Sequence, residues 1–102
     1  MIVEYVRYTI APSESEAFEA AYGTARASLD ASPYCLDYEL SRCVEEPTSY
    51  VLRIEWTSTD DHMKGFRTSP EFRAFFAAIR PYVGNIAEMR HYERTGVVKT
   101  GS

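Results

Sequence analysis

Reactive side chains and charge of one sign are both scarce in this sequence. Its 102 residues hold only two cysteines, two histidines and one tryptophan: Cys35, Cys43, His62, His91 and Trp56. The cysteines fall in one strand-like run. Eight residues at about 3.3 Å each would part their Cα atoms by roughly 26 Å, and a disulfide spans less than about 7 Å. Two reduced, unpaired thiols are therefore expected. No His/Cys group has zinc-like spacing, so neither a metal nor a cofactor is expected. There is no glycine-rich phosphate loop and no Ser/His/Asp order. Basic residues form no run, and the formal charge is −4, which argues against nucleic acid and anionic membranes as partners. No 18-residue apolar stretch exists, so no membrane span is expected. Met1-Ile2-Val3-Glu4-Tyr5 enters a strand pattern at once, without a basic region and apolar core of a secretory signal. A cytoplasmic location is the expectation.

What is abundant is apolar and aromatic surface. Hydrophobic residues make up 45% of the chain, with eight Tyr and five Phe. A single domain of this length buries only roughly 60–70% of its unfolded surface. The surplus suggests a subunit interface or a ligand pocket.

The elements follow from periodicity. Ile2–Ile10 alternates as a strand and is stopped by Pro12. Ser13 as N-cap with Glu16 at N3 predicts a capping box. The helix behind it carries Phe18, Ala21, Tyr22, Ala25 and Leu29 on one stripe and ends near Asp30, before Ser32-Pro33. Tyr34–Val44 is a second strand, with Leu36, Tyr38 and Leu40 on one face and Asp37, Glu39 and the cysteines on the other. Glu45-Glu46-Pro47-Thr48 turns the chain into a third strand, where Tyr50, Leu52, Ile54 and Trp56 share a face. A short helix is expected over roughly Asp60–Arg67. Ser69 caps the next helix, with Pro70 at N1, Glu71 in the first turn and Phe72, Phe75, Phe76 and Ile79 as its stripe. Pro81 ends it. Ile86–Glu93 is a fourth strand. Gly23 and Gly65 interrupt helical patterns and read as packing or helix-break sites.

The order is β-α-β-β-α-β, an α+β ferredoxin-like domain over residues 1–94 with a polar tail over 95–102. Both helices should cover one face of a four-stranded antiparallel sheet. The other face, with Val3, Tyr5 and Val51, would lie bare, which predicts a homodimer packed sheet against sheet. Arg53 with Glu55, and Arg7 with glutamates across the sheet, read as ion pairs on that face.

Several pieces carry a family resemblance: Pro33 with Tyr38 and Leu40, the acidic turn Glu45-Glu46-Pro47, Glu55-Trp56, and Ser69-Pro70-Glu71-Phe72. Together with the first strand and helix they resemble the antibiotic biosynthesis monooxygenase family, a dimeric α+β barrel superfamily, over about residues 1–94. The resemblance implies a metal- and flavin-free oxygenase. A phenolic, anthrone-like or quinol substrate would lose a proton in a dry apolar pocket, and its carbanion-like form would pass an electron to O₂. Trp56 matches the pocket tryptophan of the polyketide oxygenases. Leu52 stands where they carry Asn, His62 where they carry Tyr, and Phe76 where an Arg falls. In the haem-degrading branch the pocket Asn aligns with Val6, the distorting Trp with Phe66 and the axial His with Phe76, so haem ligation is not implied.

His62 is the candidate base and Trp56 its candidate partner, able to stack on a flat ligand or donate its indole N–H, or simply to anchor the core. Tyr8, Tyr22 and Tyr38 are candidate hydroxyl contacts to a ligand. Leu52, Phe66 and Phe76 are candidate walls for a small aromatic or apolar ligand. Glu4 shares the Tyr8 face, where an acid is costly unless paired or functional. His91 has no partner legible in the sequence. Two functions stay open: a cofactor-independent monooxygenase, or a non-catalytic dimer that binds an apolar ligand or a partner protein.

Overall fold

A computed structural model describes residues 1–99. Strands β1 (Ile2–Thr9), β2 (Cys35–Arg42), β3 (Ser49–Trp56) and β4 (Ile86–Glu93) alternate with helices α1 (Ser15–Ala31) and α2 (Pro70–Ile79) in the expected order. The sheet is antiparallel throughout, with spatial order β2-β3-β1-β4. This is the ferredoxin-like α+β fold. Residues 95–99 of the expected tail form no helix or strand, and its last three residues lie outside those described. Among the described residues no helix is long and apolar enough to cross a membrane.

The core lies between the sheet and the two helices. Phe18, fully buried on α1, meets the rings of Tyr8, Tyr22, Tyr50 and Tyr82 edge-on, with centroids 4.9–5.3 Å apart. Edge-to-face contacts of this kind contribute about 0.5–1.5 kcal/mol each beyond the area buried. The phenols are not left bare: Tyr8 and Tyr22 bond each other, and Tyr50 donates to Glu19 at 2.5 Å. On the opposite face, Val3 and Glu55 are buried, Tyr5 and Tyr92 stack edge-on, and Arg53 meets Glu55 at 3.1 Å within the chain.

Two local expectations are corrected and a third is refined. The Ser13 capping box does not form: Pro12 opens a 3-10 turn, Pro12–Glu14, and Ser13 lies inside it. The extended residue before that turn is Ala11, and α1 follows Glu14 with no side-chain cap. Proline's fixed φ suits a first helical position, which moves the start ahead of Ser13. In β2, the pairing register shifts between Cys35 and Asp37. The irregularity breaks the alternation, so Leu36 is 54% exposed while Cys35 packs on the core beside Tyr38 and Leu40. Both cysteines are free, as expected. Finally, the short helix is a π-helical turn, Asp61–Gly65, that tightens into a 3-10 turn, Phe66–Thr68.

The Ser69 cap is present: its Oγ accepts from the Phe72 N–H at 3.2 Å and donates to the Phe66 carbonyl at 2.6 Å. That bond also ties the end of the 3-10 turn to the start of α2.

Of the two glycines singled out in the sequence, Gly23 and Gly65, only Gly65 is required by packing. A Cβ there would sit 2.7 Å from the Tyr34 ring, whereas one at Gly23 would meet nothing within 4 Å. Gly65→Ala should therefore destabilise the fold by about 1–3 kcal/mol through overpacking. Gly23→Ala should stabilise it by about 0.4–1 kcal/mol by lowering unfolded-chain entropy. Urea unfolding of both variants checks this pair, and equal midpoints would show that the Tyr34 contact imposes no constraint.

Candidate functional site

Three elements converge on one buried carboxylate. Glu4 lies on β1 with its side chain turned toward the helices. In register, His91 faces it across β4 and Ile54 across β3. Trp56, one inward position further along β3, reaches it diagonally: its indole Nε1–H donates to Glu4 Oε1 at 3.0 Å. His62 comes from the π-helical turn. Its ring stacks on Trp56 with centroids 4.4 Å apart and planes 9° off parallel.

Local chemistry shapes that turn. Ser58 holds its start, accepting from the Asp61 N–H through Oγ at 2.9 Å and from the His62 N–H through its carbonyl at 3.2 Å. Thr57 Oγ1 donates to Asp61 Oδ2 at 2.5 Å. At the far end, Thr68 Oγ1 donates back to the Lys64 and Gly65 carbonyls, the competing side-chain bonding that loosens a regular helix. The widened turn places both His62 and Phe66 inward, each nearly inaccessible. Such π-type irregularities occur often at functional sites.

His62 bridges two groups. Its Nδ1 lies 2.7 Å from His91 Nε2, and its Nε2 lies 3.7 Å from Glu4 Oε1. Burial pushes its pKa down to about 3, with the Arg67 charge and His91 adding to the effect. Burial and Arg67 lower His91 as well. Glu4 moves the other way: burial raises its pKa, against the pull of the Trp56 hydrogen bond and Arg67.

Glu4, Trp56, His62 and Arg67 line a cavity of about 180 Å³ between the sheet and α2, and His91 touches it only through His62. Val6, Leu52, Ile54, Phe66, Phe75 and Ile79 form its apolar walls, and Tyr8 and Tyr22 line it too. Its mouth lies beside edge strand β4, where Phe76 is 37% and Met89 44% exposed. Arg67 stands there half-buried, over the Phe72 ring and 3.7 Å from the Met89 sulfur.

Of the residues singled out from sequence, His62, Trp56, Tyr8, Tyr22, Leu52, Phe66 and Phe76 all line this cavity. Tyr38 does not: it packs on the far side of α1, where its hydroxyl donates to Asp30 at 2.7 Å and accepts from Arg26 at 3.1 Å. Its side chain faces inward from β2, but β2 is the edge strand remote from α2. The indole N–H of Trp56 is committed to Glu4 and its ring to His62, so Trp56 serves the site from behind. Arg67 is the site residue that sequence reasoning missed; Glu4 was weighed there as an acid that must be paired or functional, and His91 was named without a partner. The place of Arg67, five positions after His62 in the same short element, is the signal that could have found it.

Glu4, His62 and His91 each offer a donor atom within 4.8 Å of the others, a grouping that chain spacing did not disclose. A metal would need three donors aimed at one point, about 2.0–2.2 Å away. Here the two ring nitrogens of His62 face different partners, and Arg67 adds positive charge beside the group. The arrangement is a chain with an imidazole at its centre.

The low His62 value has a consequence for stability. Its folded pKa lies below the ordinary 6.5. Its contribution is therefore fully present above pH 6.5 and lost as the pH falls toward 3, because the unfolded chain takes up a proton that native His62 refuses. One proton corresponds to about 1.4 kcal/mol per pH unit. In urea melts between pH 7 and 4, the parent should lose stability more steeply than His62→Gln by up to that slope. Parallel curves would show that His62 is not held neutral.

Comparison with known proteins bears on the fold and the family. The sequence profile of the antibiotic biosynthesis monooxygenases matches residues 1–78. The uncharacterized protein YczJ of Bacillus subtilis is 27% identical over 93 residues, covering 91% of this chain and 98% of its own. A structure from Bordetella bronchiseptica described as a candidate antibiotic biosynthesis monooxygenase superposes with a TM-score of 0.77 at 27% identity, covering 92% of this chain and 96% of that one. SnoaB, a cofactor-independent oxygenase from Streptomyces nogalater, shares the fold with a TM-score of 0.69 at 21% identity, over 99% and 97% of the two chains. With its profile match spanning three of the four strands and both helices, the chain belongs to the antibiotic biosynthesis monooxygenase family.

Proposed function

We propose that this protein is a cofactor-independent monooxygenase acting on a phenolic, anthrone-like or quinol small molecule. The observation that carries the reading is an apolar cavity with two polar groupings. Glu4 and His62 form one polar grouping in its lining and the paired Tyr8 and Tyr22 hydroxyls form the other. Glu4 and Tyr8 are four residues apart on β1, roughly 13 Å along the strand. That span suits a flat fused-ring molecule with oxygen functions at separate edges.

In the Tyr8–Tyr22 pair one hydroxyl donates to the other. The second keeps its own proton for a ligand oxygen. In the other grouping, the His62 tautomer that donates from Nδ1 to His91 leaves Nε2 with a free lone pair. A substrate hydroxyl placed there gives its proton to Nε2, and the resulting electron-rich ring transfers an electron to O₂. For an anthrone-like substrate that hydroxyl is the enol tautomer's, so over the whole reaction a ring CH₂ becomes C=O. One oxygen atom of O₂ enters the carbonyl, and the other leaves as water with the two hydrogens. Arg67 at the mouth supplies positive charge for the substrate oxyanion and the oxygen anion that forms.

A second reading has its own support. Leu52 and Phe76 line the cavity where the resemblance implied Asn and Arg, which suits an apolar ligand-binding module. Oxygen uptake against a panel of anthrones and hydroquinones separates the two. The parent should consume O₂ above autoxidation, His62→Ala should lose about 10²–10⁴-fold, and Trp56→Phe should lose less while keeping the ring stack. A protein that shifts its melting temperature with these compounds but never consumes O₂ is the binding module.

The same reading includes a homodimer formed on the outer sheet face around Tyr5, Val51 and Tyr92; Val3, expected to lie bare there, is already buried within the chain. Tyr5 and Tyr92 are 38% and 44% exposed there. Light scattering at micromolar concentration should give twice the 11.6 kDa chain mass, and a monodisperse monomer would remove the dimer.

A further inference from the structure

His91 has no part in the oxygenase reading beyond accepting a hydrogen bond, and its position suggests more. We infer that His62 and His91 form a two-imidazole proton path from the cavity to solvent at edge strand β4, with Glu4 as the carboxylate that steadies it. This inference rests on the oxygenase reading.

Three observations carry it. First, His62 is 3% exposed and uses both ring nitrogens, Nε2 toward Glu4 at 3.7 Å and Nδ1 toward His91 at 2.7 Å. A proton taken up at Nε2 has one short contact through which to leave. Second, His91 lies on the outermost strand and is partly exposed, so its second nitrogen is the natural contact with water. Third, the centre of the path cannot store charge. The His62 imidazolium is strongly disfavoured, and Arg67 opposes it in both rings. A group that cannot hold a proton still conducts one when arrival and departure are coupled.

The step balances as follows. The substrate O–H bond breaks and its proton forms an N–H at His62 Nε2. In the same movement the His62 Nδ1 proton passes to His91 Nε2, and the His91 Nδ1 proton passes to water. Every ring begins and ends neutral. After electron transfer to O₂, the reverse movement returns a proton from water, through His91 and His62, to the peroxide oxygen that leaves as water. Glu4, held by the Trp56 N–H, lies beside Nε2, where positive charge develops transiently. It is a positioning and electrostatic residue.

The test uses the intact protein and an anthrone oxidised by the parent. His91→Ala should lower kcat about 10–100-fold with little change in KM. Millimolar imidazole should restore most of the loss by replacing the missing ring. His91→Asn, which keeps bulk and polarity, should be slow, and imidazole should rescue it less. The solvent deuterium isotope effect on kcat should rise in both variants as proton transfer becomes limiting. Circular dichroism melts confirm that the variants are folded. If the parent is active and His91→Ala retains its rate, or loses it without rescue and without a change in isotope effect, the path is overturned and the oxygenase reading stands. If the parent oxidises nothing in the panel, the oxygenase reading fails, and the path built on it falls too.

Discussion

The contact on which the site depends is the indole of Trp56 donating to the buried carboxylate of Glu4. An unpaired carboxylate away from water is costly enough that such groups neutralise or find partners. The Trp56 N–H is the only hydrogen bond to this side chain among the described residues, and the raised pKa shows that it offsets burial only in part. The same indole offers its face to His62. One side chain thus fixes the height of the acid on the sheet and the plane of the base above it. The antiparallel register of β1 and β3 then sets the third coordinate, because a slip by one residue would turn Glu4 to the outer face.

Much of the fold was legible because it follows periodicities that one sequence displays. The strand alternations, the Phe18–Leu29 stripe and the Ser69-Pro70 start each report a local rule that the structure obeys. The misreadings have a common cause. Leu36 and Ser13 sit where one extra residue or one early proline breaks the period, and a period cannot announce its own interruption. For the site the division is similar. His62 and Trp56 stood out as rare residue types near a helix start. Glu4 and His91 were noticed, but nothing joined them. Their adjacency exists only once β4 is known to pair with β1 rather than with β3. Tyr38 stands apart from this cavity for the converse reason: its side chain faces inward, but its strand lies at the other edge of the sheet.

Substitutions at the pocket wall also look different once the chain is folded. Leu52 and Phe76 remove polar groups that the resemblance implied, and in sequence this reads as lost function. In space, positive charge is present after all, at Arg67, delivered from the turn rather than from α2. A guanidinium beside two imidazoles would be a poor arrangement if either ring had to be cationic at rest. It is well suited to rings that stay neutral and to a substrate that becomes an anion.

The non-ideal turn between β3 and α2 is therefore part of the site. A regular α-helix would repeat every 3.6 residues; here Ser58 caps the start in the ordinary way, while Thr68 draws the Lys64 and Gly65 carbonyls to its hydroxyl at the far end. The wider turn brings His62 over Trp56 and leaves Gly65 pressed against Tyr34, at the residue type that tolerates such contact. Local helical regularity is given up, and the histidine is held between an indole, a carboxylate and a second imidazole. Those three partners come from β3, β1 and β4. The position of His62 is consequently set by the whole sheet, and any change that alters strand register would be felt at its two nitrogens before it was felt in the pocket walls.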